Sequence, residues 1–401
     1  MDINEEALRI VHGLSCRMVE SQGLDLNITA TTQQSSAVAN ARYVLSTFRQ
    51  GGFEARQLDE AIPLEFDIIG QETIGPGGFF FAMRTLPVIK SLLADIKANA
   101  PGAMLINYTN PTQIVAEAVT HFSDVPCISI CDQTRADEEN IRKALGMPES
   151  KIILESVGLN HATWSTTFTI NGEDGISVIR RRLDHMLKRK DLDLRLKRQL
   201  QLAEHYGRLP NSYLQYYYYR NETIQEAKKK QKTRAEVIME DLPGYFQHFK
   251  EQTKAENPKL KHVRGGSIFG DMAVEVLRSL LQQDRKILTL NVPNQSALPD
   301  FGPDRVVEIP AFLSEGRAQP MAQEKLPEEV VGLLHMLASY QWLAAKAIWH
   351  GNRNDLEQAL AANPLVLSIA TAKGLLDQAY DKLAPYFPKE LDADWAEALP
   401  E

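Results

Sequence analysis

Four short segments decide the fold of this chain, in the order GQETIGPGG (70–78), INYTNP (106–111), ICD (130–132) and GLNHATW (158–164). Three of them come at the end of an apolar run, where an α/β sheet exposes the carboxyl ends of its strands and binds ligands. The strand-like runs around them alternate with helical runs of about ten residues, a pattern typical of a doubly wound parallel sheet. The sequence therefore predicts an α/β fold with a Rossmann-like sheet.

The pattern changes after His161. Residues 163–170 alternate as a strand, and residues 326–387 are helical. Helices mixed with a few strands are typical of an α+β domain. We therefore expect a Rossmann-like domain over residues 1–157 and an α+β domain over residues 158–401.

Composition excludes several classes of protein. The 401 residues are enough for two domains, and 44% apolar with 24% charged residues is usual for a globular protein. A net charge of −8 gives no basic surface for nucleic acid or an anionic membrane. Three cysteines are too few for a disulfide framework, and the acidic start MDINEE is no signal peptide. We expect a cytoplasmic protein.

The beginning of the chain departs from a complete dinucleotide fold. Such a fold opens with a strand, a glycine-rich turn and a helix whose N-terminus binds the pyrophosphate. Residues 1–4 instead resemble the end of a second strand, and no GxGxxG run precedes them. We expect the first strand and the phosphate-binding turn to be missing, because the chain is a fragment of a longer protein, has a mis-called start or is a degenerate, inactive homologue.

A metal site is the candidate chemistry of the strand ends. Cys131 and His161 lie at two such ends, and a thiolate and an imidazole can bind one soft or borderline metal. Read separately, Cys131 is also consistent with a small buried apolar residue, and His161 with an ordinary polar one. Their separation of 30 residues matches no zinc signature, so the residues alone leave both readings open.

The four segments, in this order and at these separations, resemble glycoside hydrolase family 4. The resemblance implies that the α+β domain is of the lactate/malate dehydrogenase-like C-terminal type. It also implies hydrolysis of glycosides, often 6-phosphorylated, with bound NAD and a divalent metal, usually Mn²⁺. Within that family, the Cys131-Asp132 pair and residues 211–219 and 233–240 resemble the 6-phospho-α-glucosidases, which implies substrates such as maltose 6-phosphate. A 6-phospho-β-glucosidase and an α-galactosidase or α-glucosidase of the same family stay open, because Gln133-Thr134 replaces the Met-Pro usual after Cys-Asp.

The resemblance also implies roles for individual residues. The family works by redox elimination, an exception to the two-carboxylate scheme: NAD takes a hydride from C3 of the sugar, and the metal acidifies the proton on C2. In this chain the implied roles are metal binding by Cys131 and His161, removal of the C2 proton by Tyr213 (or a tyrosine of 216–219), protonation of the leaving oxygen by Asp132, NAD binding by Asp2, Arg49 and Asn107, substrate binding by Arg56, Asn110 and Arg234, and support of the metal by Glu72. The arginines suit a sugar phosphate because their planar fork is bidentate.

Two other functions stay open. One is an NAD-dependent 2-hydroxy acid dehydrogenase of the lactate/malate type, which would need no cysteine ligand. The other is a non-catalytic, truncated member of the family. Since the family commonly forms dimers or tetramers, we expect a homodimer or homotetramer that acts on a small phosphorylated disaccharide, without a nucleic-acid or membrane partner.

Overall fold

The computed structural model describes residues 1–261, 270–314 and 316–387. Its first part alternates helices and strands, as the apolar runs predict. In chain order these elements are α1 (Glu5–Ser21), α2 (Gln34–Val38), β1 (Tyr43–Ser46), α3 (Gly52–Ala61), α4 (Gly75–Asn99), β2 (Met104–Asn107), α5 (Thr112–Phe122), β3 (Cys127–Ser129), α6 (Gln133–Leu145) and β4 (Ile152–Leu159).

The second part begins with the hairpin that the turn Asn171-Gly172 closes. Its elements are β5 (Ala162–Ile170), β6 (Glu173–Asp174), α7 (Gly175–Lys188), α8 (Leu194–Tyr206), α9 (Gln215–Tyr218), α10 (Arg220–Lys229), α11 (Arg234–Gln252), α12 (Asp271–Gln282), β7 (Ile287–Pro293), β8 (Val306–Ser314), β9 (Arg317–Pro320), α13 (Glu328–His350), α14 (Arg353–Ala361) and α15 (Ile369–Leu383). Short 3₁₀ helices occupy Ile62–Phe66, Ser212–Leu214 and Ala384–Tyr386. The predicted strand at 163–170 and the helical end of the chain are confirmed.

The strands form one mixed sheet in the order β1-β2-β3-β7-β8-β4-β5-β6, with β9 paired to β8. Strands β1, β2 and β3 are parallel, and every pairing from β3 onward is antiparallel. The predicted α/β class is confirmed. The expectation that residues 151–158 continue the parallel sheet is wrong: β4 pairs antiparallel with β5 and β8. An apolar run predicts a buried strand but carries no information about its direction.

Two local expectations also need correction. The alternation Leu26-Asn27-Ile28-Thr29 predicts a short strand, but these residues are irregular, and Leu26 is 59% exposed. Residues 1–4 are not the end of a strand either, since the Asn4 side chain accepts a hydrogen bond from the Ala7 amide and caps α1. The sequence also predicts a helix from Gly77 to about Asn99 that Pro87 would kink or split; helix α4 covers this range and is not split at Pro87. Its residues are buried on most sides, and this packing offsets the roughly 3 kcal/mol that an interior proline costs.

Close backbone contacts fix the loop that carries GQET. A Cβ atom on Gly70 would lie 1.6 Å from the Glu60 carbonyl oxygen, and one on Gly77 would lie 2.5 Å from the carbonyl oxygen of Asp59. Only glycine allows such an approach, so α3 lies directly against the loop and the start of α4. A bidentate ion pair reinforces this contact, with Arg84 donating to both oxygens of Asp59 at 2.9 and 2.6 Å and both side chains fully buried.

The apolar core lies on both faces of the sheet. One cluster packs α3, α4 and α5 against α13, α14 and α15, and a second packs β2, β3, β7 and β8 against α12 and α13. A third lies between the β4–β5 hairpin and α6, α7 and α8. Among the described helices, none has both the length and the apolar character needed to cross a bilayer.

Candidate active site

The structure brings Cys131 and His161 together. Cys131 follows β3, and His161 occupies the tight turn between β4 and β5 with a φ of 63°. The Cys131 Sγ atom lies 3.5 Å from His161 Nε2. When two atoms each bind the same ion at about 2.0 to 2.3 Å, the distance between the two atoms is close to the 3.5 Å found here. The Cys131–His161 pair therefore fits a shared metal.

Burial governs the protonation of this pair. It raises the pKa of the Cys131 thiol to about 12 and lowers the pKa of the His161 imidazole to about 3. The protein alone therefore holds a thiol and a neutral imidazole here. In the part of the chain that the structure describes, no three His, Cys, Asp or Glu side chains are grouped to bind a metal. The further ligands of an ion bound by Cys131 and His161 would therefore not include a third side chain of these types from the described residues.

Tyr213 lies beside the pair. Its ring stacks on the His161 imidazole, with centroids 4.1 Å apart and planes 8° from parallel. Asn211 caps the 3₁₀ turn that presents this tyrosine, accepting a hydrogen bond from the Tyr213 amide at 3.0 Å. Burial raises the pKa of Tyr213, and the nearby Arg195 cation opposes that rise.

Arg195 also contacts Tyr213, a position that the sequence did not predict. Its guanidinium carbon lies 4.3 Å from the centroid of the Tyr213 ring, and its Nε and Nη2 atoms donate to Ser212 Oγ at 2.9 and 2.6 Å. Arg195, Lys197 and Arg198 lie close together in the sequence of α8, so the sequence gives no sign of which one faces the site.

Asp132 follows Cys131 and precedes α6. Both of its carboxyl oxygens are buried and have no hydrogen-bond partner among the described residues. Burial raises the pKa of Asp132 to about 6; the Arg135 cation lowers it and the Asp271 carboxylate raises it further. The site therefore contains a carboxyl group with its hydrogen-bonding capacity unused.

Glu72 pairs with arginines. Its carboxylate forms ion pairs with Arg49 and, at 2.9 Å, with Arg56 Nη1, whereas Arg56 Nε donates to Glu60 at 2.7 Å. The Arg49 guanidinium also lies 4.6 Å from the Phe81 ring centroid. Its Nη1 atom is buried and lacks a hydrogen-bond partner within the described residues, so one donor remains for a ligand.

The start of α11 joins this arginine cluster. The Ala235 amide donates to Glu60 Oε2 at 3.0 Å, which brings the exposed Arg234 to the same region as Arg56. Asp2 is exposed at the start of α1, and its carboxylate accepts a hydrogen bond from the Asn4 amide at 2.8 Å. The described hydrogen bonds and ion pairs do not connect Asp2 to the strand ends, and its NAD-binding role stays a prediction.

Asn107 ties the parallel strands together. Its Oδ1 accepts hydrogen bonds from Ser46 Oγ and the Thr109 amide, and its Nδ2 donates to Ser129 Oγ at 3.3 Å. Asn110, two positions before α5, accepts a hydrogen bond from Thr112 Oγ1 at 3.0 Å. Both lie at the predicted strand end, and their roles toward NAD and substrate stay predictions.

A buried carboxyl group behind His161 was also missed. Glu308 in β8 accepts a hydrogen bond from Asn160 Nδ2 at 2.7 Å, and the Asn160 amide donates to Gln113 Oε1 at 3.0 Å. Burial raises the pKa of Glu308 to about 7. A glutamate within the apolar strand run VVEIP is the sequence signal that could have revealed it.

Cys131, His161, Tyr213 and Asp132 thus form a candidate active site beside the strand ends of an α/β sheet. Comparison with known proteins gives the class of the protein. The model described as family 4 glycosyl hydrolase matches residues 1–147, and the model of that family's C-terminal domain matches residues 156–366. The chain belongs to family 4 of the glycosyl hydrolases, and the resemblance found in its sequence is confirmed.

Individual relatives are similar over nearly their whole length. The chain is 31% identical over 395 residues to a probable 6-phospho-β-glucosidase of Bacillus subtilis (strain 168), an alignment that spans 96% of this chain and 88% of that protein. It is 26% identical over 408 residues to a maltose-6'-phosphate glucosidase of Clostridium acetobutylicum, spanning 97% and 91%. The structure of the 6-phospho-β-glucosidase from Thermotoga maritima with manganese, NAD⁺ and glucose-6-phosphate has a TM-score of 0.82 at 25% identity, spanning 96% and 91%.

Proposed function

We propose that this chain hydrolyses 6-phosphorylated glycosides with NAD and a divalent metal such as Mn²⁺, and that 6-phospho-α-glucosides such as maltose 6-phosphate are its substrates. The observation that carries the proposal is the 3.5 Å between Cys131 Sγ and His161 Nε2, with Tyr213 stacked on the imidazole. The relatives named 6-phospho-β-glucosidase and maltose-6'-phosphate glucosidase support the substrate class. The Thermotoga maritima structure with manganese and NAD⁺ supports the cofactors.

Cys131 and His161 would hold the metal, and substrate hydroxyls would complete its ligands. A bound NAD would supply a hydride acceptor for C3 of the sugar, and a bound metal would supply a Lewis acid that makes the C2 proton more acidic. In this proposal NAD is bound by Asp2, Arg49 and Asn107. The Nη1 donor of Arg49, which has no hydrogen-bond partner among the described residues, supports a role in binding a ligand oxygen.

Tyr213 removes the proton from C2 in this proposal. A phenol is a weak base unless its anion is stabilised, and the Arg195 guanidinium 4.3 Å from its ring centroid supplies a positive charge. Two hydrogen bonds to Ser212, the residue before Tyr213, hold that guanidinium in place. The base and its cation are thus fixed by the same short segment.

Asp132 protonates the oxygen of the leaving group in this proposal. Both of its oxygens are free of hydrogen-bond partners among the described residues, so its proton is available to a bound ligand. An aspartate after the metal-binding cysteine is the feature that favours α-glycosides. A 6-phospho-β-glucoside is the second candidate, favoured by the 31% identity to the Bacillus subtilis protein of that name.

The sugar phosphate is assigned to Arg56 and Arg234, with Asn110 on the sugar. Glu60 links the two arginines, because it pairs with Arg56 and accepts the amide of Ala235 at the start of α11. Arginine is suited to phosphate because its fork donates two parallel hydrogen bonds.

The proposal is tested by hydrolysis of p-nitrophenyl α- and β-glucoside 6-phosphates with NAD⁺, Mn²⁺ and a reductant. The α-anomer is expected to be cleaved, and EDTA, Cys131→Ser and His161→Ala are each expected to abolish turnover. Asp132→Asn serves as the matched variant for leaving-group protonation, with a loss of about 10²- to 10⁴-fold. Turnover that survives EDTA would contradict the metal site, and cleavage of the β-anomer alone would contradict the α assignment.

A further inference from the structure

Thr73 and Gln71 lie on the side of His161 opposite to the cysteine. We propose that they position His161 for the metal by fixing the imidazole proton on Nδ1, so that Nε2 presents a lone pair toward Cys131. The inference rests on the proposed function, because it assigns these two residues to the proposed metal site. It follows from three hydrogen bonds that leave one consistent arrangement of protons.

Two backbone donors fix the orientation of the Gln71 side-chain amide. Its Oε1 atom accepts hydrogen bonds from the backbone amides of Thr73 at 2.6 Å and Ile74 at 2.8 Å. Two N–H donors can face only the oxygen of a side-chain amide, so the oxygen and nitrogen of Gln71 cannot be exchanged. Gln71 therefore presents an acceptor to the Thr73 hydroxyl, which lies 2.9 Å away.

The Gln71 oxygen in turn fixes the Thr73 hydroxyl. It has a single hydrogen, and Gln71 Oε1 has none, so Thr73 must donate to Gln71. Thr73 Oγ1 also lies 3.2 Å from His161 Nδ1. Since its hydrogen is already committed, the hydroxyl oxygen can only accept at this contact, and Nδ1 must carry the proton.

The state of Nε2 follows from that of Nδ1. A neutral imidazole carries one proton, so Nδ1–H leaves a lone pair on Nε2, which faces Cys131 Sγ at 3.5 Å. Metal-binding histidines need such a lone pair, and their other ring nitrogen usually donates to an acceptor that orients the ring. With the proton on Nε2 instead, the lone pair of Nδ1 would face the Thr73 oxygen, which can only accept a hydrogen bond.

The backbone keeps the hydrogen-bond relay Gln71–Thr73–His161 in place. Gly70 and Gly77 approach α3 too closely for any other residue, which fixes both ends of the segment that carries Gln71 and Thr73. His161 has a φ of 63°, and Tyr213 covers one face of its ring. The segment and the ring therefore meet in one geometry.

The relay is tested first without metal, by NMR of the full chain with ¹⁵N-labelled histidine. Two-bond ¹H–¹⁵N correlations distinguish Nδ1–H from Nε2–H, and the signals lost in His161→Gln identify this ring. We expect Nδ1–H in the wild type and in Thr73→Ser, which keeps the hydroxyl, and a shift toward Nε2–H in Thr73→Val. An Nε2–H form in the wild type would overturn the relay and leave the metal site itself untouched.

The Mn²⁺ affinity of the same proteins, measured by isothermal titration calorimetry, tests whether Thr73 positions His161 for the metal. Thr73→Val is expected to bind Mn²⁺ about 10- to 100-fold more weakly, as for other residues that orient a metal ligand, and Thr73→Ser to recover most of that loss. Equal affinity in wild type and Thr73→Val, or equal loss in both variants, would overturn the positioning role. A wild-type protein that binds no Mn²⁺ would instead overturn the proposed metal site.

Discussion

Replacing Glu308 by glutamine tests how the turn that carries His161 is held. Glu308 is 1% exposed, lies opposite Gly158 in the sheet and accepts a hydrogen bond from Asn160 Nδ2 at 2.7 Å. Asn160 immediately precedes His161. The buried carboxyl group therefore anchors the β4–β5 turn from behind.

The expected magnitude follows from the pKa. Burial raises the pKa of Glu308 from 4.5 to about 7, with Asp137 adding to the rise and the amides of Asn160 and Asn291 opposing it. The folded protein then binds this proton more tightly than the unfolded chain does. Its stabilising contribution is complete below about pH 4.5 and is lost as pH rises through about 7, which amounts to about 3 kcal/mol.

The assay is urea unfolding of the wild type and Glu308→Gln between pH 4.5 and 8.5. Glutamine keeps the volume and the hydrogen-bonding shape but cannot ionise, so the variant should gain up to about 3 kcal/mol relative to the wild type across this range. Glu155→Gln, at an exposed position of β4, controls for the removal of one charge. A stability difference that stays constant with pH would refute the reasoning.

Three further changes have defined outcomes. Tyr213→Phe should remove exchange of the substrate C2 proton with solvent deuterium, measured by NMR, and exchange at the wild-type rate would contradict its role as base. Asp59→Asn leaves the fully buried Arg84 without its charge partner and should cost about 3 to 5 kcal/mol in urea unfolding, whereas a cost below about 1 kcal/mol would contradict the importance of that pair. Gly70→Ala places a Cβ atom 1.6 Å from the Glu60 carbonyl oxygen and should lower stability by about 1 to 3 kcal/mol or more, measured as a fall in the thermal midpoint; an unchanged midpoint would contradict the close contact.

The positions of most elements follow from the sequence. Apolar runs with the right period give β1, β2 and β3, and the hairpin turn Asn171-Gly172 gives β5 and β6. The direction of β4 does not follow, because it depends on long-range pairing with β8. Helix α3 was also missed, since it buries Arg56, Asp59 and Glu60, residues that periodicity reads as exposed.

The residues of the candidate site are also only partly predictable from the sequence. Cys131 and His161 are recognisable as strand-end residues, but their 3.5 Å separation depends on the arrangement of β3, β4 and the strands between them. Arg195 and Glu308 contact the site from α8 and β8, far along the chain from its motifs. Contacts of that kind are set by tertiary packing, which no local pattern records.

The central claim is that Cys131 and His161 bind one divalent cation. The most direct measurement is anomalous diffraction at the manganese absorption edge from crystals of this protein grown with Mn²⁺ and NAD⁺. One peak within bonding distance of both Cys131 Sγ and His161 Nε2 is predicted, and it should disappear in Cys131→Ser. A manganese peak bound elsewhere, with this pair still joined directly to each other, would contradict the claim.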